Sequence, residues 1–121
     1  MSPRSEPPDR DARRISDIIE HLESIASELK IGRDAFKADR RVQKIVAYDL
    51  AIIGEAASKV SKRTQQANLQ IPWTDLVEYR NDLLHEYQTL ALDQAWVFAR
   101  DVLPGLERRL RRIRVTSRTS E

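Results

Sequence analysis

A chain of 121 residues is long enough for one domain with a single real core. At 40% apolar and 33% charged residues it has the balance of a globular protein. Cysteine is absent, which excludes a disulfide framework, a thiolate zinc site and a cysteine nucleophile, and a net charge of +2 excludes a molecule that binds nucleic acid by bulk charge alone.

Residues 1–9, MSPRSEPPD, are rich in proline and polar groups and are expected to be disordered. They hold no apolar stretch of the kind a signal peptide needs, and nothing later reads as a membrane span, so a cytoplasmic protein is expected. From about Arg10 to Lys30, Ile15, Ile18, Ile19, Leu22, Ile25, Ala26 and Leu29 recur at three and four, one stripe of an amphipathic helix. Gly32 stands where a left-handed cap would close it. His21 lies beside the stripe and reads as a surface residue.

A second helix is predicted from about Arg40 to Gln65, its inner face traced by Val42, Ile45, Val46, Asp49, Ile52, Ile53, Ala56 and Val60. Gly54 inside it costs roughly 1 kcal/mol against alanine and reads as a place where another helix packs close. Tyr48 reads as packing, as does Tyr79 further on. Asp49 and Glu55, six apart, do not converge on one face as an acid–base pair would. Residues 66–71 form a polar linker.

Ile71-Pro72-Trp73 reads as a helix start, because proline is tolerated in a first turn. This third helix should turn Trp73, Leu76, Val77 and Leu84 inward and end near His85 to Tyr87. A fourth begins near Asp93, a plausible N-cap, and carries Ala95, Trp96, Ala99, Val102, Leu103, Leu106, Leu110 and Ile113; Pro104 and Gly105 predict a kink in it. Trp73 and Trp96 read as core anchors. The fold expected is an all-α, antiparallel four-helix bundle over residues 10–115, followed by a short disordered tail, 116–121.

Chemistry concentrates in Ile71 to Tyr87. On a helix Asn81 and His85 share a face, whereas Arg80 and His85 stand about 140° and roughly 7.5 Å apart. Either the long guanidinium arm reaches round to the imidazole or the pair converges only when two chains meet. A guanidinium grips a phosphate oxygen with two hydrogen bonds and stays charged, and an imidazole moves protons near neutrality. These two groups are a minimal kit for RNA phosphodiester cleavage in which the substrate's own 2′-hydroxyl attacks, and no cofactor or metal cluster is implied; taken bare, the pair equally fits a structural role, Arg80 pairing with Glu78 or Asp75 and His85 fraying at a helix end. Asp75, Glu78, Asp82 and Glu86 surround Arg80 with a field expected to repel RNA. Arg108, Arg109, Arg111, Arg112, Arg114 and Arg118 near the end read either as a solvated face or tail, or as phosphate contacts, with Arg108, Arg111 and Arg112 the candidates for RNA.

The run Arg80-Asn81-Asp82-Leu83-Leu84-His85-Glu86-Tyr87 resembles the HEPN motif in its HepT-like form: Arg-Asn, three residues, His, one residue, Tyr. Ile52-Ile53-Gly54-Glu55-Ala56, Ile71-Pro72-Trp73 and Val102-Leu103-Pro104-Gly105-Leu106 are similar to that family in the same order. The resemblance implies a metal-independent ribonuclease toxin working as a two-fold homodimer on an RNA substrate. Arg80 would stabilise the scissile phosphate, Asn81 would orient the site, and His85 would be the general acid or base. Tyr87 matches the tyrosine that a partner nucleotidyltransferase antitoxin of the MNT type adenylylates to silence the toxin. Two other readings stand beside it: a non-catalytic helical dimer that chiefly binds such a partner, and a DNA-binding bundle using the arginine tail, against which stands the lack of a basic recognition helix.

Overall fold

The apolar stripes pair as their spacing requires. In the computed structural model, which describes residues 7–85 and 89–113, α1 (Pro7–Glu28) packs along α3 (Arg40–Lys59), α3 along α5 (Trp73–Leu83), and α1 against α7 (Leu103–Arg111). Ile18, Leu22 and Ile25 of α1 meet Val46, Leu50 and Ile53 of α3 in one continuous core with Leu76, Leu106 and Leu110. The neighbours run antiparallel: Asp11 reaches Ser61 while His21 reaches Asp49, and Gly54 meets Arg80 while Ala57 shares a cleft with Trp73. The all-α helical bundle is the architecture found. Among the described residues no helix is long and apolar enough to cross a membrane.

The structure differs from the sequence expectations where side chains override periodicity. Residues 40–65 are not one helix. Backbone extension at Val60 and Ser61 breaks them into α3 and the short α4 (Lys62–Ala67). Ser61 caps α4 by accepting from the Thr64 N–H, and the buried carboxylate of Asp11, 3% exposed, accepts from the Ser61 N–H at 2.9 Å and from both hydroxyls, Ser61 and Thr64. A cap so well satisfied outcompetes one more turn of α3.

Gly32 has φ +98° and ψ 162°, an extended positive-φ conformation that only glycine adopts readily, and not the left-handed cap expected. It leads into α2 (Arg33–Ala38), which buries Phe36 completely; the ring stacks on Trp96 at 6.3 Å. Asp93 does not cap the fourth helix. It lies in the first turn of α6 (Leu92–Val97), and Lys37 and Arg33 of the α2 segment bind its carboxylate at 2.9 and 3.1 Å. Those two cations hold its pKa below the usual aspartate value.

The interruption expected at Pro104 lies one turn earlier, as a π-helical segment over Phe98–Val102 between α6 and α7. Proline lacks an N–H and its ring crowds the carbonyl four residues back, so the preceding turn widens. The wider turn shifts the helical phase, so that Phe98, on the same face as buried Ala95, and Leu103 beyond the segment both reach the core; the Phe98 ring meets Tyr79 at 5.2 Å.

Candidate functional site

Gly54, Ala47 and Ala51 on α3 make room for the site. Gly54 has Arg80 directly over it: a Cβ built there would stand 2.9 Å from Arg80 Cδ and 3.0 Å from Arg80 Cβ. With only a hydrogen at Gly54, the arginine stem lies flat against α3. Close helix packing was the reading of this glycine from sequence, and the group it admits is the stem of the candidate phosphate-binding arginine. Beyond Gly54 the two helices enclose a groove of about 590 Å³, lined by Lys44, Ala47, Tyr48 and Ala51 from α3 and by Arg80, Asn81 and Leu84 from the other wall.

Arg80 and Asn81 are brought together there, the guanidinium Nη2 donating to Asn81 Oδ1 at 3.3 Å. Glu55, next to Gly54, has its carboxyl pKa lowered, first by its hydrogen bond to Lys59 and then by charge, to which Arg80 and Arg14 contribute. His85 is placed differently from the expectation. The helix stops at Leu83, and Leu84–His85 form a two-residue strand, β1, paired antiparallel with β2 (Thr89–Leu90), His85 opposite Thr89. His85 therefore shares no helical face with Asn81; its side chain is exposed and is not among the residues lining the groove. The helix ends because Leu84 leaves helical dihedrals and Leu90 folds into the core, with the Ala91 N–H donating to Leu83 O at 2.7 Å. Glu86 and Tyr87 lie outside the described residues.

The arginines near the chain end do not border this groove. Arg111 binds Glu107 at 2.9 Å and Glu23 of α1, while Arg108 and Arg112 are exposed on and just beyond α7. Arg114 and Arg118 lie outside the described residues. Among those described, no three His, Asp or Glu side chains converge as a metal ion would require.

His21 is not a plain surface residue. Its Nδ1–H donates to Asp49 Oδ1 at 2.7 Å, and Ser24 Oγ donates to the other oxygen at 2.6 Å. Asp49 is only 3% exposed, so these two donors satisfy a buried carboxylate between α1 and α3. The imidazole also meets the Tyr48 ring at 5.9 Å, edge to face. Tyr48 itself is 61% exposed and lines the groove, which overturns its reading as packing. Lys44 and Tyr48 were both missed, although a signal existed: 44, 48, 51 and 55 recur at three and four on the face of α3 opposite its core stripe.

The ribonuclease HepT-like family profile matches residues 15–113, which include both walls of the groove. The chain belongs to that family. It is 26% identical over 100 residues to "Probable ribonuclease HepT" of Thermococcus cleftensis, covering 83% of this chain and 89% of the relative. A candidate RNase of Methanocaldococcus jannaschii is 27% identical over 100 residues, covering 81% and 83%, and one of Caldanaerobacter subterraneus 26% over 97 residues, covering 79% and 87%. No solved structure gives a significant match. In this ribonuclease HepT-like chain α5 carries Arg80 and Asn81 and β1 carries His85, and only the first two of these line the groove.

Proposed function

We propose that this chain is a metal-independent endoribonuclease, the toxin of a toxin–antitoxin pair, acting as a homodimer through Arg80, Asn81 and His85. The observation that carries the reading is Arg80 itself, laid over Gly54 so that its guanidinium opens on a groove shared with Lys44. Arg80 holds a non-bridging oxygen of the scissile phosphate. The RNA's 2′-hydroxyl attacks phosphorus and gives up its proton to a base. The bond to the 5′-oxygen breaks, and that oxygen takes up a proton, leaving a 2′,3′-cyclic phosphate and a 5′-hydroxyl. His85 serves one of the two proton transfers. Its place outside the groove of its own chain favours a site completed across the dimer, where the imidazole of one protomer faces the arginine of the other. Asn81 fixes the guanidinium by its hydrogen bond. A nucleotidyltransferase partner of the MNT type silences the enzyme by adenylylating Tyr87, two residues beyond His85.

Cleavage of RNA by purified protein in EDTA tests this. Arg80→Ala and His85→Ala should each lower the rate at least ~100-fold, the usual contribution of a positioned acid–base or electrostatic group, with unchanged circular dichroism. Cleavage that persists equally in both variants would trace to a contaminating nuclease and sink the reading. The same exposed position of His85 also supports a second reading, a non-catalytic dimer that binds the nucleotidyltransferase. That one requires a stable complex and no cleavage by the wild type.

A further inference from the structure

We infer that Tyr48 is a stacking platform for an unpaired base of the RNA, with Lys44 on the adjoining phosphate; this rests on the ribonuclease reading of the groove. Four observations converge on it. Tyr48 is 61% exposed on a helix whose other face is core, so its ring is spent on solvent unless something covers it. On one side the ring is steadied by His21, whose Nδ1 is pinned to the buried carboxylate of Asp49. This support fixes the ring before any ligand arrives, which lowers the entropy lost on stacking. On its other side Ala47 and Ala51 are short, and the space they leave is a groove of about 590 Å³, within the roughly 300–1,000 Å³ of sites that take a ligand the size of a nucleotide.

The cations are spaced to suit a strand. Lys44 stands one turn before Tyr48 on the same face of α3, and Arg80 closes the groove from α5. An aromatic surface flanked by two cations is the arrangement that binds single-stranded nucleic acid: phosphates sit on the charges and a base lies on the ring. Stacking needs only a π-face, so Tyr48 is expected to accept different bases, and to discriminate single strands from duplex, where bases already stack on one another.

The test is binding of a single-stranded, 2′-O-methylated oligoribonucleotide carrying 2-aminopurine, which cannot be cleaved by 2′-hydroxyl attack. Fluorescence and anisotropy are followed with wild type, Tyr48→Phe, Tyr48→Ala, Lys44→Ala and Arg80→Ala, and the oligomeric state of each variant is measured without RNA. Tyr48→Ala should weaken binding roughly 5- to 100-fold and abolish 2-aminopurine quenching, while Tyr48→Phe keeps both. Lys44→Ala should lower the slope of log affinity against log salt by about one, and Tyr48→Ala should leave that slope alone. Binding lost in Arg80→Ala but intact and quenched in Tyr48→Ala overturns the platform and leaves the ribonuclease reading standing. Wild type that fails to bind RNA overturns both. A change of oligomeric state in Tyr48→Ala without RNA overturns the platform in favour of a contact between copies of the chain.

Discussion

Arg80 does two things that no other residue type does together. Its stem packs flat on Gly54, and its head donates to Asn81 while remaining charged at any working pH. Lysine would keep the charge but lose the planar fork that grips two oxygens at once. Arg80→Lys should therefore fold normally and still lose at least about 10-fold in kcat/KM, measured on a defined RNA; full activity in the lysine variant would show that point charge is all the site asks of this position. His85 is the opposite kind of residue. Its spacing to Arg80 and Tyr87 singles it out as a candidate, whereas its place was not legible, because helix termination at Leu83 goes with Leu90 entering the core from beyond the turn. Tyr48 was read as packing since tyrosines on amphipathic helices usually pack. What exposes it is its place on the face of α3 opposite the core stripe, and that this face walls a groove emerges only once α5 lies beside it.

Elements sit where they do because of a few particular contacts, one steric and one polar. The approach of α3 and α5 depends on Gly54. Alanine there should gain roughly 1 kcal/mol of helix propensity but force a Cβ to within 2.9–3.0 Å of the Arg80 stem, an overpacking that costs about 1–3 kcal/mol. Gly54→Ala should thus be neutral to destabilised by up to ~2 kcal/mol in denaturant unfolding and lose cleavage activity out of proportion. Combined with Arg80→Ala, the stability cost should shrink, because two of the three crowded atoms are gone; equal costs in both backgrounds would separate Gly54 from Arg80. The break between α3 and α4 depends on Asp11. Asp11→Ala leaves the Ser61 and Thr64 donors without their acceptor, and stability should drop by about 2–4 kcal/mol. A midpoint unchanged in urea would mean that water replaces the carboxylate there.

For the whole molecule the question is whether Arg80 and His85 act within one chain or across two. The groove holds the first and not the second, and in the two-fold arrangement proposed above one protomer's imidazole would face the other's guanidinium. If so, mixing the inactive Arg80→Ala and His85→Ala proteins and allowing subunits to exchange should restore about a quarter of wild-type cleavage: half the dimers are then mixed, and each has one intact site of two. A site complete within one chain would leave the mixture as inactive as its parts. The ion pairs that Arg111 makes with Glu107 and Glu23 are exposed, so replacing Arg111 should shift stability by less than ~1 kcal/mol.

By itself the sequence determined the helical class, most of the inner faces of α1, α3 and α5, with Ile45 the exception at 39% exposed, and the family, because those follow from apolar periodicity and from motif spacing that local chemistry cannot hide. Val42, Val46 and Ile53, or Trp73 and Leu76, are buried as their spacing demands. Tertiary structure alone decided where periodicity yields. A buried carboxylate at position 11 holds Ser61, fifty residues on, where α3 gives way to α4, and a glycine in one helix sets the arginine of another. Phe98 packs edge to face on Tyr79 of α5, at 5.2 Å. Each of these rests on a contact between residues distant in the chain, and the free energy of such a contact exists only once the helices have met.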